Sequence, residues 1–571
     1  MTDKREYWKT RQLSRRSVLR GSAVGVIGIA GAALIGCGGG SGAPKAAATT
    51  AAGGAATAKA TAEAAKKGGA LIGLHTGPPL GFDPYQVLNW QYVNFTLPTM
   101  SQLIRLDPTK SHPLTSADIK PDLAEKWEVG ADAKSMTFNL RKGVKFHDGS
   151  NFTAKDAKWS IERMADPKTT YFAGELANMS GVETPDDNTV KINWKTPSAA
   201  KLSSFASGYS VMLSQAYHSV KDKRKEEFAM GTGPFRMTTF QSQKEYNYER
   251  NKDYFIPDRP YLDGLSFRVV AVDAALPAMI SGQGDVTGAA LGAVANPQEA
   301  DMVTKQAPKT LKLWSDQRTP NPLGRAIYFN VKTDGPWKNP DVRKAMALVL
   351  DRQGMAEAQG AKEGWAAKQE WFLPGMAMDN KEAEAQVGWD KPIEERVKQA
   401  KALLSTAGVP NGFKMKALLR NQAEYLDFST LAQESWKKHL GIDVAMDLVE
   451  VAVETQRKSR FEYDMLFFYA VFRSGIHPTE LSSQFLSGSA ENWARTENKE
   501  LDAVFAKIDG TLGGPELTAL AKQAQTHMLK DMGAIPLYRG SYVRLTKPDV
   551  MGITSHIWLT NKDYIATWVN R

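Results

Sequence analysis

The sequence predicts an α/β fold with mixed sheets, on three observations. Apolar residues alternate by twos in several short runs, helical three-to-four-residue spacing occurs between those runs, and one segment reads as strand, helix, strand. No internal repeat is visible.

The elements follow in chain order. Phe138 and Leu140 alternate, as do Val144 and Phe146, and Lys142-Gly143 between them reads as the turn of a hairpin. Thr153 and Asp156 form a capping box, after which Ala157, Ile161 and Met164 make one apolar helical face. Val190, Ile192 and Trp194 alternate, and so do Leu265, Phe267 and Val269. Asn339-Pro340 starts a helix carrying Val342, Met346 and Val349 on one side, and a further helix from Glu394 aligns Val397, Ala400, Leu404 and Ala407 before Gly408. From Phe413 to Glu450, the alternation of Met415, Ala417 and Leu419 leads into a helix bearing Ala432, Trp436 and Leu440. That helix stops at Gly441, and Ile442, Val444, Met446 and Leu448 alternate again. Such an order requires a right-handed parallel crossover. Met465 to Phe472 reads as a buried strand. Ligands of such sheets sit at strand carboxyl ends or between domains.

With 571 residues, 42% of them hydrophobic and 23% charged, the chain is long enough for two or three domains and excludes collagenous, disordered and disulfide-rich classes. Of the net charge of +10, residues 1–36 supply +5 and 37–69 supply +3, leaving +2 for the remaining body. A near-neutral body argues against a nucleic-acid partner. Arg15-Arg16 precede an apolar run that ends in Leu34-Ile35-Gly36-Cys37, with Cys37 the single cysteine. The pattern resembles a Tat-like signal peptide (1–36) followed by a lipoprotein cleavage site, so Cys37 would carry the lipid that holds the chain to a membrane. Residues 37–69 are an Ala/Gly/Thr linker without large apolar side chains, which as a flexible chain would span about 30 Å.

In the body, Pro121 to Val129, Thr137 to Gly149 and Phe152 to Ala157 resemble the signature block of the family 5 extracellular solute-binding proteins, the peptide, dipeptide and nickel receptors of ABC importers. Gly231-Thr232-Gly233-Pro234-Phe235, Asn251 to Phe255, Leu262-Asp263-Gly264, Gly284-Asp285-Val286, Tyr328-Phe329-Asn330, Val342 to Ala345, Ala400 to Leu404 and Ile535-Pro536-Leu537-Tyr538 follow in the family's order. The resemblance implies a type II periplasmic-binding-protein fold. Lobe I would comprise 70–112, 228–325 and 540–571, lobe II 113–227, and lobe III 326–539. Chain crossings near Arg325 to Asn330 and near Tyr538 would form a hinge. It further implies a monomer without cofactor or metal, shutting on a small molecule or peptide and delivering it to an ABC permease and its ATPase.

The family often holds a peptide's α-amino group with an aspartate in a Trp-x-x-Asp-Tyr-x-Asp-Pro-like segment. The matching stretch here runs Phe472-Arg473-Ser474-Gly475, with Ser474 at the aspartate position. A buried amine there would lack its counter-ion, which favours a ligand carrying an anionic or hydroxyl-rich group for Arg473; the alternative is that Arg473 points to solvent and another carboxylate anchors the amine. Trp90, Tyr171 and Trp493 are further candidate ligand contacts by position, since aromatic walls give large, rigid contact area. No His-Glu-x-x-His, Gly-x-Ser-x-Gly or Gly-x-x-x-x-Gly-Lys motif occurs. The second reading left by the residues is an exported hydrolase of peptide or glycan using cleft carboxylates, whose sign would be product accumulation.

Overall fold

The computed structural model describes residues 65–571 except 76, 80, 87–94, 108–115, 171–172, 223–224, 288–302, 304, 306–309, 361–365, 369–370, 373–374, 472–475 and 554–562. Cys37, Trp90, Tyr171, Phe472, Arg473 and Ser474 therefore lie outside the described residues, as do the leader and nearly all of the linker.

Strand β1 (Ala70–His75) opens the body, and β2 (Ile104–Leu106) pairs with β3 (Ile119–Pro121). Next come β4 (Ala124–Val129), β5 (Ser135–Leu140), β6 (Met179–Asp186) and β7 (Thr189–Trp194), an antiparallel sheet in the order β4-β5-β7-β6. Its inward residues Met136, Phe138, Val190 and Ile192 are fully buried, as period-two alternation requires. The helix Ala154–Ala165 packs against this sheet with Ala157, Ile161 and Met164 inward, and the Asp156 carboxylate accepts the Thr153 N–H at 3.0 Å, closing the predicted capping box.

One strand pairing differs from expectation. β5 does not fold back on Val144 and Phe146, because both its edges are taken by β4 and β7, with Phe138 opposite Trp127 and Val190. The Lys142-Gly143 turn instead leads into a tight loop, in which the Phe146 N–H donates to Ser150 O and the Phe152 N–H to Val144 O.

The second sheet has eleven strands. To β1 it adds β8 (Phe235–Gln241), β9 (Glu245–Arg250), β10 (Gly264–Val269), β11 (Val286–Thr287), β12 (Lys312–Phe329), β13 (Ala366–Lys368), β14 (Lys414–Arg420), β15 (Asp443–Val449), β16 (Met465–Val471) and β17 (Ala534–Thr546). The order is β15-β14-β16-β12-β17-β11-β1-β10-β9-β8, with β13 also on β17. The predicted crossover is present: β14, the helix Ala423–Leu440 and β15 make a parallel pair with Met415 beside Val444, and Gly441 ends the helix at φ 69°, a conformation glycine takes without a Cβ penalty. A short pair, β18 (Val550–Met551) and β19 (Trp568–Val569), lies near the C-terminus.

Candidate functional site

Strand directions single out one place in the large sheet. β12 and β17 are its two long strands, antiparallel to each other and shared by its two halves. In the first half, β11 is antiparallel to β17, and β1 and β10 run parallel with β11, so all three advance along the direction of β12. In the second half, β16 is antiparallel to β12, and β14 and β15 run parallel with β16, so these three advance the opposite way. The two sets of carboxyl ends therefore point at each other across the middle of β12 and β17. There the ladder is irregular, with register shifts between Ser315 and Pro320, Pro320 and Gly324, and Gly324 and Ala326. Pro320 lacks an N–H for the ladder, and shifts of this kind accompany local bending.

The middle of the pair buries arginines. Arg539 on β17 is 2% exposed and donates from Nη2 to Trp371 O at 2.7 Å. Burial pushes its pKa down to about 9, opposed by nearby Tyr328. A Cβ at Gly324 would stand 3.2 Å from the Arg539 Cζ, so a larger residue there would push the guanidinium a few tenths of an ångström from β12. Arg325 is also buried, its guanidinium 4.3 Å from the Tyr469 ring centroid. Tyr538 is buried beside them, edge-on to Phe428. Asn330 lies just past β12, where its side-chain amide donates to Phe461 O at 3.0 Å and Tyr463 O at 3.1 Å, and so fixes the strand's end to the neighbouring loop.

A second charged group occupies the carboxyl ends of β14 and β16. Arg420 Nε donates to Glu454 Oε2 at 3.1 Å, and Lys458, one turn after Glu454 on the helix Val451–Ser459, lies 3.5 Å from Glu454 Oε1. Glu454 is fully buried. The Lys458 ammonium sits 3.3 Å from the Phe468 ring centroid and 5.2 Å from that of Trp493. Burial pulls Lys458 down to about 8, against the attraction of Glu454. Trp493 packs edge-on against Phe468 at 4.7 Å and Tyr328 at 5.2 Å, so the structure joins this predicted aromatic to the cluster. Two cations thus share one buried carboxylate, with Glu491 a more distant acid acting on Lys458.

The residues flanking 472–475 meet the same region. Val471 pairs with Leu323 on β12, beside the shifted ladder, and Ile476 is buried with its N–H 3.2 Å from Glu480 Oε1. Arg420, Glu454, Lys458 and Arg539 were not foreseen. Glu454 and Lys458 look in the sequence like an ordinary helical surface pair, and Arg539 follows directly on the Ile535 to Tyr538 match. Among the described residues, no group of three or more His, Cys, Asp or Glu could hold a metal, and no helix is long and apolar enough to cross a membrane.

Known proteins resemble this chain over most of its length. The model for bacterial extracellular solute-binding proteins, family 5 Middle, matches residues 118–493. The glutathione-binding protein GsiB of Escherichia coli strain K12 is 29% identical over 434 residues, 73% of this chain and 80% of that protein. AgaA from A. tumefacien R10, solved in complex with agropinic acid, has a TM-score of 0.74 at 24% identity, covering 88% of this chain and 99% of that one. DppA from Helicobacter pylori, solved with the peptide STSA, has a TM-score of 0.73 at 22% identity over 89% of this chain and 99% of that one. The two structures establish the likeness of fold.

Proposed function

Because this chain belongs to the bacterial extracellular solute-binding proteins of family 5, receptors of ABC importers rather than enzymes, we propose that its two halves close on a small carboxylate-bearing solute at the middle of β12 and β17 and present it to a permease and its ATPase. The observation that carries this reading is the convergence of six strand carboxyl ends on two shared, irregular strands. A solute touching both halves binds the shut form better than the open one, and only that difference in affinity shifts the population.

The solute's acid group would face Arg420 and Lys458, whose positive charges outnumber Glu454, and Arg473 would add a third cation; Phe472, Ser474, Trp90, Tyr171 and Trp493 would complete the walls. GsiB is named for binding glutathione, and AgaA was solved with agropinic acid, by name an acid. The lobes would be 70–112 with 228–325 and 540–571, then 113–227, then 326–539. Arg325, Asn330 and Tyr538 would flank the bending strands, and the register shifts at 315–326 support a hinge that begins slightly earlier on β12. The body would work as a monomer tethered outside the cytoplasm through lipid on Cys37, after a Tat-like leader is removed.

Isothermal titration of the full chain with glutathione, agropinic acid and unmodified tri- and tetrapeptides tests the ligand class. Binding of an acidic conjugate, lost in Arg420→Ala, is the expected result. Tight binding of neutral peptides by wild type and Arg420→Ala alike would overturn it. Scattering curves that narrow with the bound solute would support closure, and identical curves would refute it.

A further inference from the structure

We infer that Lys201 is a positioning residue that joins the four-stranded-sheet unit to the turn following residues 472–475, through Thr479 and Asp509. Resting on the two-half reading above, this gives the arrangement of the described residues a contact remote from the strand-end cluster. Among the described residues the two halves of the large sheet are continuous along β12 and β17, and a separate bridge runs from the four-stranded sheet's unit to the half that holds β14 to β16. Lys201, 6% exposed and following β7, places Nζ 3.5 Å from Thr479 Oγ1 and 3.8 Å from Asp509 Oδ1. Beside it, the Ser116 hydroxyl donates to Leu512 O at 3.2 Å, and a Cβ on Gly510 would touch Pro197 at 3.2 Å.

On the far side the network runs back toward 472–475. The Thr479 hydroxyl donates to the Asp509 carboxylate, and the Thr479 N–H donates to His477 Nδ1 at 3.2 Å. His477 Nε2 donates to Thr511 O at 2.8 Å, and Glu480 accepts from the N–H groups of Ile476 and His477. A buried ammonium with one carboxylate and one hydroxyl fixes both groups it touches, so the bridge orders the turn that follows 472–475.

Hydrogen exchange on the solute-free full chain tests the bridge itself, whereas solute-dependent scattering tests closure, so the two ideas can fail separately. Lys201→Met is expected to speed exchange at 476–482 and 508–513, across the interface, by about threefold to tenfold, with Lys201→Arg restoring most of it. Asp509→Asn should loosen 197–206 from the other side. Exchange that changes only around each substituted residue would overturn the inference.

Discussion

The four-stranded sheet and the middle of β12 and β17 are built on different principles. Inside the sheet stand Met136, Phe138, Val190 and Ile192, all apolar, and its ties to the rest of the first half include a histidine and the single matched ion pair of Arg163, on the helix Ala154–Ala165, with Asp83. His147 Nε2 donates to Gly233 O at 3.0 Å while Nδ1 accepts the Gly231 N–H at 3.4 Å. The middle of the long strands holds Arg325 and Arg539, with Arg420, Glu454 and Lys458 close by at the strand ends. Buried charge is a poor stabiliser compared with well-packed apolar groups, and where Arg163 has one acid to itself, Arg420 and Lys458 share one.

The largest effect expected from that contrast is at Glu454. Glu454→Ala leaves Arg420 and Lys458 half-buried without their shared carboxylate and should cost about 3 kcal/mol in urea unfolding. Replacing all three together, Arg420→Met with Glu454→Leu and Lys458→Met, should restore stability to wild type or above while abolishing solute binding. If Glu454→Ala costs under about 1 kcal/mol, the charges are not interdependent and the contrast fails.

Acid should act on histidines in both regions. Burial holds His147 and His477 down to about 4 from an ordinary 6.5, and in each ring one nitrogen accepts an N–H, so only the neutral form fits. Because the folded pKa is depressed, their contribution is fully present above about pH 6.5 and is lost as pH falls toward 4. Between pH 7.5 and 5 each should withdraw about 2 kcal/mol. His147→Gln and His477→Gln should each flatten urea-derived stability over that range, and an unchanged slope in both would show that acid acts elsewhere.

Legibility in the sequence divides along the same line. Local rules sufficed for the capping box at Thr153, the crossover ending at Gly441 and the buried strand at Met465–Val471, because each depends on residues a few positions apart. They misled at Lys142-Gly143, where turn chemistry was right but β5's edges were already occupied by β4 and β7. They were silent about Glu454 and Lys458, since a pair four residues apart reads the same whether its helix face is wet or buried against Phe468 and Trp493. The ordered motifs gave the family, but the charged cluster at the strand ends needs the fold, since Arg420 meets Glu454 from 34 residues away and Lys458 meets Phe468 and Trp493 from other elements.

The smallest effect decides whether charge or looseness separates the two regions. Ile192 on β7 and Ile327 on β12 are both fully buried, and Ile327 lies just beyond the last register shift, paired with Phe467 and Ile535. Ile192→Val and Ile327→Val each remove one methylene from a close-packed site and should cost about 1 kcal/mol in parallel urea titrations. Equal costs mean that the long strands pack as tightly as the small sheet and differ from it in charge alone, leaving flexibility to the shifted residues 315–326. A cost at Ile327 near zero, with Ile192 at its full value, would extend the soft region along β12 toward Asn330 and make loose packing, rather than buried charge, the mark of the site.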